Sequence, residues 1–298
     1  SVFVQQQGVE CDFSSSDSWV ILSPIEQSIK RKIEAVGTPL KDWDIQINYG
    51  IKTGFNDAFI INTEKREEIL SNCQTDEERS HTAELIRPIL RGRDIKRYGY
   101  EWADLWIINT HNGIKGKLPR IDVNEYPTIK AHLDQYWDKI EKRADQGDTP
   151  YNLRNCAYME DFNKPKIVWG EISDRSKFAY ESIGTFVPEA TTFLMAGKHL
   201  PYLLCILNSP MSEWFFSKVG TTTGVGTVRW KKFTIQELII PIVSPVDEQF
   251  FEEQVQNYID HSIDTQSFTS SVNKRIYSIV GLSDEEISFA ENYYPTML

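Results

Sequence analysis

Short strand patterns and amphipathic helix patterns alternate irregularly along this chain of 298 residues. Apolar and polar residues alternate over 43–49, which predicts a half-buried strand, whereas apolar residues recur at helical spacing over 25–36. No regular strand–helix–strand array is present. We therefore predict an α+β fold with a mixed sheet, peripheral helices and a C-terminal helical tail.

Two patterns near the middle of the chain predict specific elements. A glycine-containing polar stretch at 50–57 separates the strand at 43–49 from an apolar run at 58–62, which predicts a hairpin with a long tip. Residues 127–143 place their apolar side chains on one face and predict a single amphipathic helix.

The character of the chain changes after Pro245, where the patterns become helical and acidic. We predict one domain over 1–245 and a helical tail over 246–298. The tail is expected to pack on that domain or on a catalytic domain that this chain lacks. The chain starts without Met, which suggests a fragment of a longer protein.

Basic residues are concentrated in one segment of an acidic molecule. The net charge is −11, yet residues 87–120 hold eight basic and three acidic residues. We interpret this segment as a phosphate-contacting face on a body that otherwise repels nucleic acid. A solvated charged surface is the alternative.

The sequence contains few signatures of catalysis. A P-loop, an HExxH zinc motif and a GxSxG nucleophile elbow are all absent. The four cysteines are far apart and form no CxxC pair, which favours a reduced, cytoplasmic setting. No apolar run approaches the ~20 residues that span a bilayer, so we expect no membrane partner. Asp94 and Lys96 resemble part of a nuclease motif, but we expect Asp94 to pair with neighbouring arginines.

Five segments, taken in order, carry a family resemblance. They are GIKTGFNDAFII (50–61), RPILRGRDIKRY (87–98), NLRNCAYMEDFNKPKIVWGEIS (152–173), TTFLMAGKHLPYLLCILNSPMSEWFF (191–216) and GTVRWKKFTIQELIIPIVSPVDEQ (226–249). The chain, from about residue 18 to its end, resembles the TaqI-like C-terminal specificity domain. That domain is the target-recognition domain of type IIG restriction-modification enzymes and related DNA adenine methyltransferases.

The resemblance implies that the chain is a sequence-specific reader of double-stranded DNA. Family members usually carry a methyltransferase domain with an Asn-Pro-Pro catalytic motif, and that motif is absent here. The chain alone is therefore expected to be no enzyme, with no catalytic residues, metal or cofactor of its own. S-adenosylmethionine, and magnesium if the parent cleaves DNA, would belong to the missing domains, and an adenine would be methylated at N6 in the linked methyltransferase.

The predicted DNA-binding residues are cations, hydroxyls and one amide on loops that contain glycine, where backbone and side chains approach phosphates or base edges. They are Lys52, Thr53, Asn56, Arg91, Arg93, Lys96, Arg97, Lys115, Lys117, Arg154, Arg175, Thr222, Thr223, Arg229 and Lys231. For each group a structural alternative stands beside the functional one: a turn, internal ion pairing, or a solvated loop.

Two other functions stay open from the sequence. One is a protein-interaction subunit that uses its aromatic residues for partner contacts and has no DNA role. The other is a metal-dependent nuclease built around Asp94 and Lys96, which requires acidic residues around a divalent cation.

Overall fold

The computed structural model describes residues 22–219, 221–222 and 228–293. No helix among these residues is both long enough and apolar enough to span a membrane. The α-helices are α1 (Pro24–Val36), α2 (Asn56–Phe59), α3 (Thr63–Ser71), α4 (Asp76–Leu85), α5 (Pro127–Asp134), α6 (Trp137–Ile140), α7 (Leu200–Leu207), α8 (Pro210–Val219), α9 (Lys232–Ile235), α10 (Pro245–Ile259), α11 (Thr265–Val280) and α12 (Asp284–Asn292).

The strands are short and belong to several small sheets. They are β1 (Gly37–Pro39), β2 (Ile45–Tyr49), β3 (Ile60–Asn62), β4 (Ile86–Leu90), β5 (Leu105–Ile108), β6 (Lys166–Gly170), β7 (Ile172–Ser173), β8 (Phe178–Glu181), β9 (Val187–Pro188), β10 (Thr192–Gly197), β11 (Thr221–Thr222), β12 (Val228–Arg229) and β13 (Ile239–Pro241). The sheet orders are β2-β10-β6-β8, β3-β5-β4-β9, β11-β12-β7 and β1-β13. Strands β4 and β9 run parallel, whereas the β2-β10-β6-β8 sheet is antiparallel. The predicted α+β fold is confirmed.

The chain forms two compact units. The central unit comprises Ile45–Ile172 and Lys177–Leu200, and the terminal unit comprises the described residues of 1–44, 173–176 and 201–298. Helices α10–α12 thus group with α1 in the terminal unit. The domain boundary at residue 245 stays a prediction.

Aromatic side chains set the register at the middle of the antiparallel sheet in the central unit. Trp169 on β6 lies opposite Phe193 on β10 and Phe178 on β8. The Trp169 ring stacks on Phe193 with centroids 5.5 Å apart and lies 5.3 Å from Phe178. Such cross-strand aromatic pairs stabilise one pairing over its slipped alternatives. Trp169 is buried in the core.

The strand pair β6–β8 also buries a complete ion pair. Lys166 lies opposite Glu181, and its ammonium is 2.5 Å from the carboxylate, with neither side chain exposed. Lys166 also donates to the carbonyl of Phe162, while Glu181 accepts from the backbone N–H groups of Ile183 and Gly184. Burial lowers the pKa of Lys166, and Glu181 opposes that effect. Because both charges are bound by several partners, the pair specifies this register.

The predicted hairpin over 43–62 is wrong. Strand β2 pairs with β10, β3 pairs with β5, and the short helix α2 lies between them. Gly50 and Ile51 donate their backbone hydrogen bonds to the turn before β10, so the chain does not fold back on β2. Ala58 and Phe59 are fully buried by this course, which places them in the core.

The predicted single helix over 127–143 is interrupted. Helix α5 ends at Asp134 and α6 covers only Trp137–Ile140. Between them Tyr136 donates to the carbonyl of Leu133, three residues earlier, in the tighter geometry typical of a helix end. Leu133 and Ile140, on either side of this turn, are fully buried, and Arg143 after α6 is buried as well.

Helix α1 is central to the terminal unit. It packs against β13 and α11, while α10 packs against α11 and α12 against α8. Ile29 and Ile33 of α1 are buried, and so are Phe251 and Val255 of α10. Ser23 and Glu26 form a capping box at the first turn of α1.

Glu26 connects the start of α1 to α8. Its carboxylate accepts from the backbone N–H of Ser23 at 2.8 Å, from the Trp214 indole at 3.2 Å, and from Lys218 at 2.7 Å. Burial alone would raise the pKa of Glu26, but the hydrogen bonds from Lys218, Ser23 and Trp214 outweigh it and lower the pKa to about 2. Folding is therefore coupled to ionisation of this group.

We expect Glu26→Gln to lower the free energy of unfolding at pH 7 by about 2–3 kcal/mol, since the ion pair with Lys218 is lost. The folded pKa lies below the ordinary value of 4.5, so the stabilisation is present above pH 4.5 and disappears towards pH 2. Urea unfolding at pH 7 and pH 3 measures this difference. The control is Glu34→Gln, which breaks the exposed Lys30 pair and should cost under about 0.5 kcal/mol. Equal losses at both pH values would contradict the coupling.

Candidate nucleic-acid interface

The turn at 188–192, between β9 and β10, binds two of the predicted DNA-contacting loops. The backbone N–H groups of Gly50 and Ile51 donate to its carbonyls at 2.9 and 2.7 Å. The backbone N–H of Gly92 donates to the hydroxyl of Thr191 at 3.1 Å. The loops that begin at Gly50 and at Arg91 are therefore fixed at their bases by one turn of the central unit.

Two glycines allow the first of these loops to pack closely. A Cβ at Gly50 would lie only 2.0 Å from the carbonyl oxygen of Glu189. Gly54 has a φ of +73°, and a Cβ there would lie 3.0 Å from the Cβ of Asp145. Glycine is required at Gly50 by the close backbone approach and at Gly54 by the left-handed conformation.

Arg143 connects the loop that begins at Gly50 to the segment 145–152. Its guanidinium donates to the carbonyls of Thr53, Asp145, Pro150 and Asn152, and it lies 4.5 Å from the centroid of the Phe59 ring. The side chain is 6% exposed. Burial lowers the pKa of Arg143 to about 10, so the group stays charged at neutral pH. The planar fork of an arginine suits this arrangement of several acceptors.

Two of the predicted cations, Lys52 and Arg154, pair with the same carboxylate, that of Asp145. Lys52 lies 2.9 Å from one Asp145 oxygen and Arg154 lies 3.1 Å from the other. The hydrogen bond from Lys52 is the main reason that the pKa of Asp145 is lowered. Lys52 and Arg154, which are 102 positions apart in the sequence, are thus neighbours in the structure.

The contacts continue into the loop over 111–120. Asn112 donates to Asp148 at 3.0 Å and to Asn155 at 2.6 Å, and Arg120 lies 3.6 Å from Asp148. Lys117 pairs with Glu160 at 2.5 Å. We call the three segments 50–56, 111–120 and 143–160 the loop cluster.

Lys115 is exposed in this loop and has no ion pair within the described chain. The loop cluster therefore contains the predicted residues Lys52, Thr53, Asn56, Lys115, Lys117 and Arg154.

Thr53 and Asn56 are engaged with each other. The Thr53 hydroxyl donates to the side-chain oxygen of Asn56 at 2.5 Å and is buried, whereas Asn56 is exposed at the start of α2. The Thr53 side chain thus stabilises the loop, which is the structural alternative left open by the sequence.

The second predicted loop contains the turn Gly92–Asp94. Arg91 binds Asp94 through two hydrogen bonds at 2.8 and 3.0 Å, as the sequence led us to expect for Asp94, and this pairing raises the pKa of Arg91. Asp94 is 5% exposed. Arg93 is exposed and makes no ion pair with the described residues. Lys96 lies 3.5 Å from Glu101, and Arg97 is half-buried.

The remaining predicted residues are not part of the loop cluster. Arg175 belongs to the terminal unit, where it binds Glu213 through two hydrogen bonds at 2.6 and 2.8 Å. Thr222 lies on β11 and pairs with the strand that contains Arg229, and Lys231 is the half-buried residue before α9. Thr223 lies outside the described residues.

The sequence did not reveal which residues would surround the predicted cations. Arg120 was counted as basic but not chosen as a site residue, and the roles of Asp145, Asp148 and Glu160 were not anticipated. Acidic residues at these spacings carry no motif, and only the fold brings them opposite lysines and arginines.

Within the described residues, no group of three or more His, Cys, Asp or Glu side chains is arranged to hold a metal ion. The Asp94 carboxylate, proposed as a nuclease ligand, is engaged by the backbone and side chain of Arg91. The arrangement is one of exposed cations on firmly held loops, which suits binding to polyanions.

Comparison with known proteins identifies relatives of this chain. Residues 87–242 match the family model of the TaqI-like C-terminal specificity domain. The Type II methyltransferase M.PaeR7I of Pseudomonas aeruginosa is 21% identical over 280 residues, which is 92% of this chain and 45% of that protein.

Two solved structures share the fold. The Type IIL restriction-modification enzyme MmeI, in complex with DNA, superposes with a TM-score of 0.60 at 13% identity over 87% of this chain and 36% of its own. The type IIG restriction endonuclease BpuSI gives a TM-score of 0.51 at 15% identity, over 87% and 33% respectively. The chain thus spans less than half the length of each relative.

We expect Arg143→Lys to lower the free energy of unfolding by about 2–4 kcal/mol, because an ammonium keeps the charge but leaves several buried carbonyls without a donor. Hydrogen exchange should accelerate most at the backbone amides of 53–56 and 145–152. The control is Arg79→Lys, an exposed change expected to stay within about 0.5 kcal/mol. Unchanged exchange in both segments would contradict the role of Arg143.

Proposed function

Because this chain belongs to the TaqI-like C-terminal specificity domain family, we propose that it recognises double-stranded DNA in a sequence-specific manner for a restriction-modification enzyme. The observation that carries the proposal is the match over residues 87–242, a range that begins with the basic segment 87–120. In this proposal the loop cluster and the turn at Gly92–Asp94 face the duplex.

The charges of the central unit support this assignment. Lysines and arginines from three chain segments meet in the loop cluster, and Lys115 and Arg93 are exposed without an ion pair in the described chain. Cations on exposed loops contact phosphates and fix the register, while arginine also suits bidentate contact with guanine. Arg93 is our first candidate for a base contact and Lys115 for a phosphate contact.

We further propose that the whole protein is a DNA adenine-N6 methyltransferase, with or without an endonuclease. The similarity to M.PaeR7I over 45% of its length supports a linked methyltransferase domain. That domain would hold S-adenosylmethionine and take up the adenine after it leaves the base stack. The chain alone would then neither methylate nor cleave DNA. A cytoplasmic location, where thiols stay reduced, is part of the proposal and is compatible with the free thiols of Cys73, Cys156 and Cys205.

Selection from randomised duplex DNA tests the proposal directly. We expect the chain to enrich a short motif at 0.1 M salt, and its affinity for that motif to fall on the order of 100-fold between 50 and 200 mM salt if about four phosphates are contacted. Binding that ignores salt, or association with a protein in place of DNA, would favour the protein-interaction function. Magnesium-dependent cleavage lost in Asp94→Ala would favour the nuclease.

Single substitutions test the two exposed cations. Arg93→Ala should weaken binding to the selected motif by about 1–3 kcal/mol and relax its sequence preference, as expected for a base contact. Lys115→Ala should reduce the slope of log affinity against log salt by about 1 without changing the preference. Lys274→Ala, an exposed cation on α11, is the control and should leave affinity and slope unchanged. If Arg93→Ala and Lys115→Ala both bind like the parent chain, the assignment of these residues is wrong.

A further inference from the structure

Besides the cations that favour DNA binding, the loop cluster contains carboxylates that oppose it. Its cations face three carboxylates that all come from one segment, residues 145–160. Asp145 binds Lys52 and Arg154, Asp148 binds Arg120, and Glu160 binds Lys117. We call Asp145, Asp148 and Glu160 the acidic strip.

The three carboxylates lie at the surface with their partners. Asp145 is 22% exposed and the others more so, while the side chains of all four paired cations are between 41% and 61% exposed. An exposed ion pair of this kind contributes little to folding stability, about 0–1 kcal/mol. The strip is therefore poorly explained as a stabilising device.

The pairs are also joined to one another. Asp145 binds Arg154, the next residue Asn155 accepts from Asn112, and Asn112 donates to Asp148. Asp145 and Asp148 are thus linked through side-chain contacts, and the three carboxylates pair with cations from all three segments of the loop cluster. Hydrogen bonding by Lys52 lowers the pKa of Asp145, so this member of the strip is ionised at neutral pH.

We propose that the acidic strip competes with DNA phosphate for the cations of the loop cluster and thereby weakens sequence-independent binding. This inference rests on the proposed function. Each carboxylate oxygen takes the place that a phosphate oxygen would take, at 2.5–3.6 Å from the cation. Contacts to phosphate alone must displace these carboxylates, whereas contacts to a matching sequence add the free energy of base recognition.

Asp145→Asn is the sharpest test, because it removes the charge opposite two cations and keeps the shape of the side chain. We expect its affinity for a mixed-sequence duplex at 0.1 M salt to rise by about 3–10-fold, since Lys52 and Arg154 become available to phosphate. Adding Asp148→Asn and Glu160→Gln should increase the gain. Glu84→Gln changes the net charge equally at an exposed position on α4 and should change affinity by less than about 2-fold.

A double-mutant cycle separates release of the cations from a general charge effect. In a chain that carries Lys52→Gln and Arg154→Gln, adding Asp145→Asn should give no gain. A gain that persists there, or an affinity of Asp145→Asn equal to that of the Glu84→Gln control, overturns the inference. A loss of affinity in Asp145→Asn also overturns it, because the carboxylate would then position the cations for phosphate. If neither the parent chain nor any variant binds duplex DNA, the proposed function fails as well.

Discussion

The loop cluster depends on one buried guanidinium. Loops 50–56 and 143–155 are not strands of a common sheet, so no backbone ladder holds them together. Arg143 replaces such a ladder with donors to four carbonyls from these two segments. A buried charge is costly unless it is hydrogen-bonded, and here both terminal nitrogens of the guanidinium donate to carbonyls of these loops. The arginine and the loops therefore require each other.

The turn at 188–192 complements this interaction from the sheet. It follows a strand of one sheet, β9, and precedes a strand of another, β10, so its position is set by both. The turn accepts hydrogen bonds from the backbone N–H groups of Gly50, Ile51 and Gly92, and these bonds fix the bases of two loops. The result is a rigid support with charged tips, which is the arrangement that precise recognition requires. In the proposed function, these charged tips face the DNA.

The elements that were predicted correctly are those that depend on residues close together in the sequence. The helix over 25–36 and the strand over 43–49 follow from side chains within a few positions of each other, and the structure contains Pro24–Val36 and Ile45–Tyr49. The hairpin over 43–62 failed because its strands find better partners far along the chain. Arg143 was counted as the end of an amphipathic helix, since nothing nearby in sequence shows the four carbonyls that it binds.

For the candidate site, too, the sequence predicted some of the residues and not others. A basic segment is visible in composition, so Arg93 and Lys115 were named from the sequence, and their exposure in the fold is compatible with that role. The carboxylates opposite Lys52, Lys117 and Arg120 could not be predicted from the sequence, because ion pairs between distant residues leave no repeating pattern in it.

The order in which the chain passes through its two units has a consequence for synthesis on the ribosome. The central unit is complete once residue 200 has emerged, whereas α1 and β1 must wait for β13 and α11, about 200 residues later, before they can be buried. The central unit can therefore fold before the terminal unit, whose helix α1 becomes buried only after β13 and α11 have been synthesised.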